Sequence, residues 1–420
     1  MKNAHIMYQD WDSYLLLNMY QHVLEDYDEN PSPEELSQED AGDDEKDDHV
    51  IPHSPSTDRK KCPKCGDSYT GNPVFCKKCG ARLVTVCYPQ TTINVTSQAV
   101  QDRAKQYFKQ GNDFADCGKC VEALASYDEA IAIRPDYADV WNNRGAVLLQ
   151  LGRHSEALAS YDKSIAINPD NAGLWGLRGG MLNALGRNEE AIISLDKSLS
   201  IDPNDSEMWF WRGNTLLNLG QDAEAVLSYD RVLSADPTNA AAWAKRGLAL
   251  IELGKFSEAI SSIDNSLAID PNNSEPWFWR GNALAFLNRF WDAVTSYEKS
   301  LAINPDDAGV WGCRGKSFAE LKRHADAVDS FDKALSIKPD YAMAWSERGA
   351  ALINDNRLKE AVASYDKAIA IEPNDAIAWS GRGLALLKLG QFAEGIDSCD
   401  KALAINPNDA DAKRIREILN

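Results

Sequence analysis

Four cysteines in the N-terminal part of the chain have the spacing of metal ligands. Cys62 and Cys65 form one Cys-x-x-Cys pair, and Cys76 and Cys79 form a second pair after ten intervening residues. Two thiolates at this spacing hold one side of a tetrahedral ion, and a second pair completes the coordination. The pattern predicts one structural Zn²⁺ ion, because four protein thiolates leave no open position for catalysis.

The segment around these cysteines, residues 59–87, is short and basic. A module of this size has too little apolar core to fold alone, so metal binding must supply the folding free energy. It resembles the short zinc-ribbon modules of bacterial and archaeal proteins, with the ending Phe-Cys-x-x-Cys-Gly-x-x-Leu from Phe75 to Leu83. Its lysines suit either contact with RNA, DNA or an acidic protein surface, or a purely structural module that they keep soluble. We favour the structural interpretation, since few aromatic residues are available for stacking on bases.

No group of residues in the sequence predicts catalysis. The sequence has no Ser/His/Asp arrangement and no glycine-rich phosphate loop, and its six histidines are scattered. Cys117 and Cys120 form a further Cys-x-x-Cys, for which redox or metal chemistry and ordinary packing both stay open, with packing favoured. The chain is therefore predicted not to be an enzyme.

Composition and charge exclude several classes of protein. The chain has 420 residues, of which 44% are hydrophobic and 26% charged, and it has no run of about 18 apolar residues. Neither a membrane span nor wholesale disorder is expected. Net charge is -20, which disfavours non-specific nucleic-acid binding over most of the surface. The lack of an export signal, with scattered cysteines, predicts a reduced, cytoplasmic protein.

A 34-residue period organises most of the chain. Nine prolines from Pro135 to Pro407 recur every 34 residues, and so do eight tryptophans from Trp141 to Trp379. A glycine follows each of these tryptophans by four residues. Nine units of 34 residues span 104–409, and position 1 of each unit is counted from residue 104.

Each unit is predicted to contain two helices. In the second unit, apolar residues recur at near-helical spacing from Ala138 to Gln150 and again from Ser155 to Ile167. Gly152 separates the two helices, and Pro169 closes the unit because it cannot donate a helical hydrogen bond. The neighbouring Asp and Asn residues supply turn and N-cap chemistry.

The spacing resembles that of the tetratricopeptide repeat (TPR). In the second unit the matching residues are Trp141, Gly145, Ala157, Tyr161 and Pro169. The resemblance implies antiparallel helix pairs that stack into a right-handed superhelix, with the first helix of each pair along a concave groove. It also implies a scaffold that holds peptides or partner proteins.

Arginine and acidic residues repeat with the units in a way that predicts pairing. Position 7 is Arg in units two to nine, and position 25 is acidic in all nine. Arg is missing only from unit one, which no earlier unit precedes, and Arg416 follows the last acid. We expect the acid of one unit to pair with the Arg sixteen residues later, although independent solvent-facing charges are the alternative. Examples are Asp128 with Arg144, Asp162 with Arg178, Asp366 with Arg382, and Asp400 with Arg416.

The resemblance places positions 2, 5, 9 and 12 of each unit on the groove. Units four and six are nearly identical there, and present Phe210 with Asn214 and Phe278 with Asn282. An aromatic ring beside an amide suits an extended peptide, because the ring takes a side chain and the amide holds the backbone. The alternative is that the two phenylalanines serve internal packing. Asn112 and Lys316 occupy position 9 of two other units and complete the candidate peptide-binding set.

The predicted organisation has six parts. They are an amphipathic arm (1–28), an acidic flexible linker (29–58), the zinc ribbon (59–87), a second linker (88–103), nine TPR units (104–409) and a capping helix (410–420). The fold class is all-α, and the predicted function is a non-enzymatic scaffold or adaptor that binds a protein or peptide in the groove, without a membrane or a small-molecule substrate. The alternative is a nucleic-acid-associated regulator whose ribbon contacts RNA or DNA. A third hypothesis has the N-terminal arm occupy the groove until a partner displaces it.

Overall fold

The computed structural model describes residues 59–61, 68–70, 84–85 and 97–419. The first three ranges are short strands, β1 (Arg59–Lys61), β2 (Ser68–Thr70) and β3 (Val84–Thr85). Strands β2 and β3 both pair antiparallel with β1, which gives the order β2-β1-β3. The four cysteines of the predicted zinc ribbon, the N-terminal arm and the acidic linker lie outside the described residues.

From residue 97 to residue 419 the chain consists of helices and short turns, in nine pairs followed by one last helix, α19 (Ala410–Leu419). The first helices of the pairs are α1 (Ser97–Asp116), α3 (Ala138–Gln150), α5 (Ala172–Ala184), α7 (Ser206–Asn218), α9 (Ala240–Glu252), α11 (Ser274–Phe286), α13 (Ala308–Glu320), α15 (Ala342–Asn354) and α17 (Ala376–Lys388). The second helices are α2 (Cys120–Ile133), α4 (His154–Ile167), α6 (Asn188–Ile201), α8 (Asp222–Ala235), α10 (Phe256–Ile269), α12 (Phe290–Ile303), α14 (His324–Ile337), α16 (Leu358–Ile371) and α18 (Phe392–Ile405). The predicted helical repeat array is thereby confirmed, and its right-handed superhelical path stays a prediction.

The first helix extends further than the 34-residue period indicates. Helix α1 begins at Ser97, inside the segment 88–103 that was predicted to be a linker, so that prediction is wrong for residues 97–103. This stretch contains no Gly or Pro to interrupt a helix. The side chains of Gln98 and Asp102 also form an i,i+4 hydrogen bond of 3.2 Å, which supports the added turns.

The turn inside each pair uses one residue with left-handed backbone. In six pairs it is glycine, with φ between 69° and 77°. In units six to eight the glycine is replaced by Asn288, Lys322 and Asn356, which adopt φ of 58°, 60° and 60°. The three departures from the glycine pattern therefore preserve the turn, although lysine in this conformation costs more than glycine or asparagine.

Asp and Asn side chains cap the N-termini of many of the first helices, as the sequence predicts. The carboxylate of Asp205 accepts hydrogen bonds from the backbone N–H groups of Glu207 and Met208 at 3.0 and 3.1 Å. The amide oxygen of Asn239 accepts one from the backbone of Ala242 at 2.9 Å. These contacts satisfy N–H groups that have no partner within the helix.

The two helices of a pair approach closely because position 8 is glycine, and in units one to eight a large side chain at position 24 fills the space beside it. A Cβ atom added to Gly145 would lie 2.8 Å from Cε1 of Tyr161, and one added to Gly281 would lie 2.4 Å from the same atom of Tyr297. Only glycine leaves room for these rings, which are buried in the core. At the C-terminal end, Ala412 and other residues of α19 bury against the last pair, as expected of a capping helix.

The described helices divide into two compact parts, each of several repeat units. The division falls within α5, between Arg178 and Gly179. The candidate residues of units four and six both lie in the second part, which begins at Gly179. None of the helices in residues 97–419 combines the length and the apolar character that crossing a membrane requires.

Candidate peptide-binding site

The two phenylalanines predicted to bind a peptide occupy equivalent places on first helices. Phe210 lies on α7 and Phe278 on α11, and each is half-buried. The ring centroid of Phe210 lies 5.8 Å from that of Tyr229, and the centroid of Phe278 lies 6.2 Å from that of Tyr297. Each phenylalanine therefore packs on the core tyrosine of its own unit and keeps part of its ring accessible.

The asparagine beside each phenylalanine is oriented by the same tyrosine. The Tyr229 hydroxyl donates to Oδ1 of Asn214 at 2.7 Å, and the Tyr297 hydroxyl donates to Oδ1 of Asn282 at 2.8 Å. Burial raises the pKa of Tyr297 well above its usual value, so its hydroxyl stays protonated and able to donate. Because Oδ1 is engaged, each amide has its Nδ2 donors to offer to a carbonyl oxygen.

Of the other two candidates at position 9, Asn112 repeats the surroundings of Asn214 and Asn282, and Lys316 does not. Oδ1 of Asn112 accepts from the hydroxyl of Tyr127 at 2.9 Å and from Nδ2 of Asn143 at 3.0 Å. Nζ of Lys316 lies 3.1 Å from the carboxylate of Glu347. Asn112 belongs to the same arrangement as Asn214 and Asn282, because the half-buried Phe108 stands beside it and its ring centroid lies 6.2 Å from that of Tyr127. The charge of Lys316 is balanced within the array.

The arginines at position 7 all lie within hydrogen-bonding distance of the acid of the preceding unit. The nitrogen-to-oxygen distances are 2.6 to 2.9 Å in units two to nine and for the last pair, Asp400 with Arg416. The arginine side chains are mostly covered, as for Arg246 at 21% exposed against 45% for Asp230. Each guanidinium therefore joins the second helix of one unit to the first helix of the next.

Sequence reasoning missed the second partner of these arginines. In seven units the guanidinium Nη1 also donates to a serine hydroxyl at position 23 of its own unit, at 2.6 to 2.9 Å. The serine is present in all nine units, and its 34-residue period was the available signal. The indole N–H groups of the repeated tryptophans similarly donate to the carbonyl of the preceding closing proline, as Trp141 does to Pro135 at 2.9 Å.

Replacing Arg246 tests whether these contacts stabilise the array. Arg246→Met removes hydrogen bonds to Asp230 and to Ser262, so the free energy of unfolding should fall by about 1–3 kcal/mol. Arg153→Met is the control, because Arg153 makes an exposed i,i+3 pair with Glu156. The control should change stability by less than about 1 kcal/mol in the same urea titration. Equal small losses would mean that the Arg–Asp pairs do not stabilise the stacking.

Two of the described cysteines, Cys313 and Cys399, offer little nucleophilic chemistry at neutral pH. Burial raises the pKa of the Cys313 thiol and of the Cys399 thiol to about 11 in each case, so both stay protonated. Cys120 donates its S–H to the side-chain oxygen of Gln150 at 3.3 Å. Among the residues that the structure describes, no group of three or more His, Cys, Asp or Glu side chains could hold a metal ion.

Family models establish the class of protein that these repeats define. Models described as "TPR repeat" and "Tetratricopeptide repeat" match residues 111–152, 138–171, 172–205, 194–226 and 348–420. Another tetratricopeptide repeat model matches four overlapping stretches between residues 211 and 376. The matches together run from residue 111 to residue 420, and the chain belongs to the tetratricopeptide repeat family.

Several solved structures are similar to this chain, and no curated protein matches it. The C-terminal part of a TPR protein from Cytophaga hutchinsonii has 18% identity and a TM-score of 0.49, covering 57% of this chain and 98% of that one. A tetratricopeptide repeat protein from Parabacteroides merdae has 19% identity and a TM-score of 0.44, covering 60% and 99%. The Cut9–Hcn1 hetero-tetramer of the APC/C has 16% identity and a TM-score of 0.45, covering 75% and 76%.

Proposed function

We propose that this chain is a non-enzymatic scaffold that binds an extended segment of another protein along its first helices. The observation that supports the proposal most is the repetition of one arrangement in units one, four and six, of which the last two lie on α7 and α11. In each of these units a half-buried phenylalanine lies beside an asparagine whose Oδ1 is engaged by a buried tyrosine. Two equal arrangements on α7 and α11 suit a ligand that is itself extended and periodic.

The chemistry of the arrangement suits a peptide better than a small molecule. An accessible ring face gains from covering an apolar side chain, and the free donors of an asparagine suit a backbone carbonyl. A peptide supplies both groups at short intervals along its length. The packing of Phe210 and Phe278 on their tyrosines is compatible with this role, because a ring that is already held loses little freedom on binding.

Selection of peptides on the full chain tests the proposal. Random peptides of about 12 residues, long enough to span two units as an extended chain, are displayed on phage and enriched on the immobilised protein. We expect enriched peptides to compete with one another and to bind with a stoichiometry of one in calorimetry. Enrichment no greater than on an unrelated helical protein would contradict the proposal.

We also propose that Cys62, Cys65, Cys76 and Cys79 hold one structural Zn²⁺ ion. Strand β1 ends just before the first pair in the sequence, and β3 follows the second pair. Purified protein should contain about one zinc per chain by atomic emission, because four thiolates make a closed site. The Cys62→Ser plus Cys76→Ser variant should lose most of it, whereas Cys117→Ser plus Cys120→Ser should retain it. Equal zinc in both variants would contradict this site.

The basic charge of the ribbon favours a second function, contact with nucleic acid. Residues 61–90 carry 5 basic side chains and 1 acidic one, against the acidic balance elsewhere. Binding of this kind weakens steeply with salt, since it releases counterions from phosphates. A fluorescent RNA or DNA oligonucleotide titrated with the full chain at low and high salt measures it directly. Salt-dependent binding that is lost on substituting Lys77 and Lys78 by Glu would support this function.

A further inference from the structure

The spacing of the two phenylalanine–asparagine arrangements limits the ligand that can use both. Helices α7, α9 and α11 contact one another in order. Packed helices lie about 8–10 Å apart, so α7 and α11 are separated by about 16–20 Å. An extended chain advances about 3.3 Å per residue. The distance therefore corresponds to about five or six residues. Because successive side chains of an extended chain point to opposite faces, a peptide that places one side chain on Phe210 and another on Phe278 needs the even separation, about six.

The helix between the two arrangements does not provide a third aromatic anchor. At the place of the phenylalanines, α9 carries Ala244, which is buried, and at the place of the asparagines it carries Leu248, which is half-buried. Nζ of Lys245 lies 5.2 Å from the ring centroid of Trp279 on α11. The stretch of peptide between the two anchored side chains thus contacts small and aliphatic side chains of α9. These side chains do not select for a third bulky residue in the peptide.

Charge on these three helices favours a basic ligand. Apart from the arginines that pair with acids of the preceding units, α7, α9 and α11 carry three carboxylates, Glu207, Glu252 and Glu275, and one ammonium group, Lys245. All three glutamates are exposed, and Lys245 is half-buried. Complementary charge raises the rate of association and excludes ligands of the same sign.

The same charge argues against the N-terminal arm of this chain as the ligand. Residues 8–24 contain aromatic and aliphatic side chains but have Asp10 and Asp12 and no Lys or Arg. The following residues, 25–48, carry 13 acidic side chains. Placed along three helices with an excess of carboxylates, this segment would meet like charge.

We infer that the ligand is an extended basic peptide from another protein, with two bulky apolar side chains about six positions apart. The two side chains cover Phe210 and Phe278, and backbone carbonyls beside them accept from Nδ2 of Asn214 and Asn282. Lysine or arginine residues of the peptide lie toward the glutamates of α7, α9 and α11. This inference rests on the proposed function and specifies the peptide that it requires.

A panel of synthetic peptides tests the inference on the full chain. Each fluorescent peptide has about 14 residues, with two leucines at separations from three to eight positions in a Ser/Thr/Gly background. Every separation is made in a version with flanking lysines and a version with flanking glutamates, and a peptide of residues 8–24 is included. Binding is measured by fluorescence anisotropy at low and at high salt.

The expected result is a maximum of affinity at a separation of six in the lysine series. Separations of five and seven should bind more weakly, because their second leucine points away from the helices. Losing one leucine contact should weaken binding about tenfold or more. The affinities of peptides with separations of three and eight should therefore be lower than the maximum by at least that factor. The glutamate series should bind more weakly, and the difference should shrink in high salt. In the Phe278→Ala variant the dependence on separation should disappear, because only one anchoring ring is left.

Three results would overturn the inference. Affinity that is independent of separation, yet lost in the Phe210→Ala plus Phe278→Ala variant, would reject the spacing and leave the peptide-binding function intact. Tightest binding by residues 8–24 would assign the site to the arm of this chain. No binding by any member, although phage selection yields ligands, would reject this class of peptide, whereas failure of both experiments would reject the proposed function as well.

Discussion

The Tyr297→Ala variant should lose about 3–5 kcal/mol of the free energy of unfolding. Tyr297 is 2% exposed and fills the space that Gly281 leaves between α11 and α12. Truncation to Ala removes a buried ring and leaves a cavity that the neighbouring helices cannot close fully. It also removes the hydroxyl that engages Asn282, so this variant should lose affinity for a peptide as well as stability.

A repeat array can unfold in parts, so the measurement must resolve single units. Hydrogen exchange by mass spectrometry should show the largest loss of protection in α11 and α12. Trp291→Ala is the matched control, because Trp291 is an aromatic residue on the same helix but is 53% exposed. The control should cost about 1 kcal/mol or less. Equal losses in the two variants would contradict the assignment of Tyr297 to the core of the pair.

The Phe210→Ala plus Phe278→Ala variant should bind a selected peptide about 100-fold more weakly than the wild-type protein. Each ring is half-buried in the free protein, and covering an apolar side chain on it contributes on the order of 1.5 kcal/mol. Loss of two such contacts corresponds to about two powers of ten in the dissociation constant. The fold should be retained, because Tyr229 and Tyr297 remain in the core.

A second double variant controls for the loss of exposed aromatic surface. Trp291→Ala plus Phe392→Ala removes two rings that are 53% and 55% exposed and that lie on second helices, α12 and α18. Calorimetry should show the same peptide affinity as for the wild-type protein. A similar loss in both variants would mean that the peptide binds through general apolar surface and not through the two phenylalanine–asparagine arrangements.

The 34-residue period predicts the helices and the Arg–Asp distances for a physical reason. Identical units that stack identically must repeat every contact between neighbouring units. A position that lacks a neighbouring unit can therefore be recognised in the sequence, because the usual residue is absent there. The absence of Arg from unit one is such a case, and Arg416 supplies the Arg that follows the last unit. The bridge from Asp230 to Arg246 has the predicted separation of sixteen residues and a length of 2.7 Å.

The contacts that orient the candidate site could not be derived in the same way. The bond from Tyr229 to Asn214 depends on how the two helices of one pair cross, and the two residue types are also common as independent core and surface residues. The serine that accepts from Arg246 has the period of the array, but a hydroxyl on a helix usually bonds to its own backbone. Ser262 does both, since it also donates to the carbonyl of Glu258 at 3.1 Å.

The repeat pattern also could not predict the residue at which the first helix of the array begins. Residues 97–103 precede the first unit and have no counterpart at the same place in the other units, so periodicity gives no information about them. Helix α1 nevertheless includes them. Once a helix has formed, each further residue adds a backbone hydrogen bond at little cost, so the helix extends until a residue interrupts it.

Cross-linking of a bound peptide tests the central claim most directly, because it reports where on the array the ligand lies. A selected peptide with a photoreactive group at each apolar position is irradiated on the full chain, and the linked residues are identified by mass spectrometry. The account predicts links to α7 and α11, close to Phe210 and Phe278, with α9 between them. Links concentrated on the second helices α8, α10 and α12, or on residues 59–87, would contradict it.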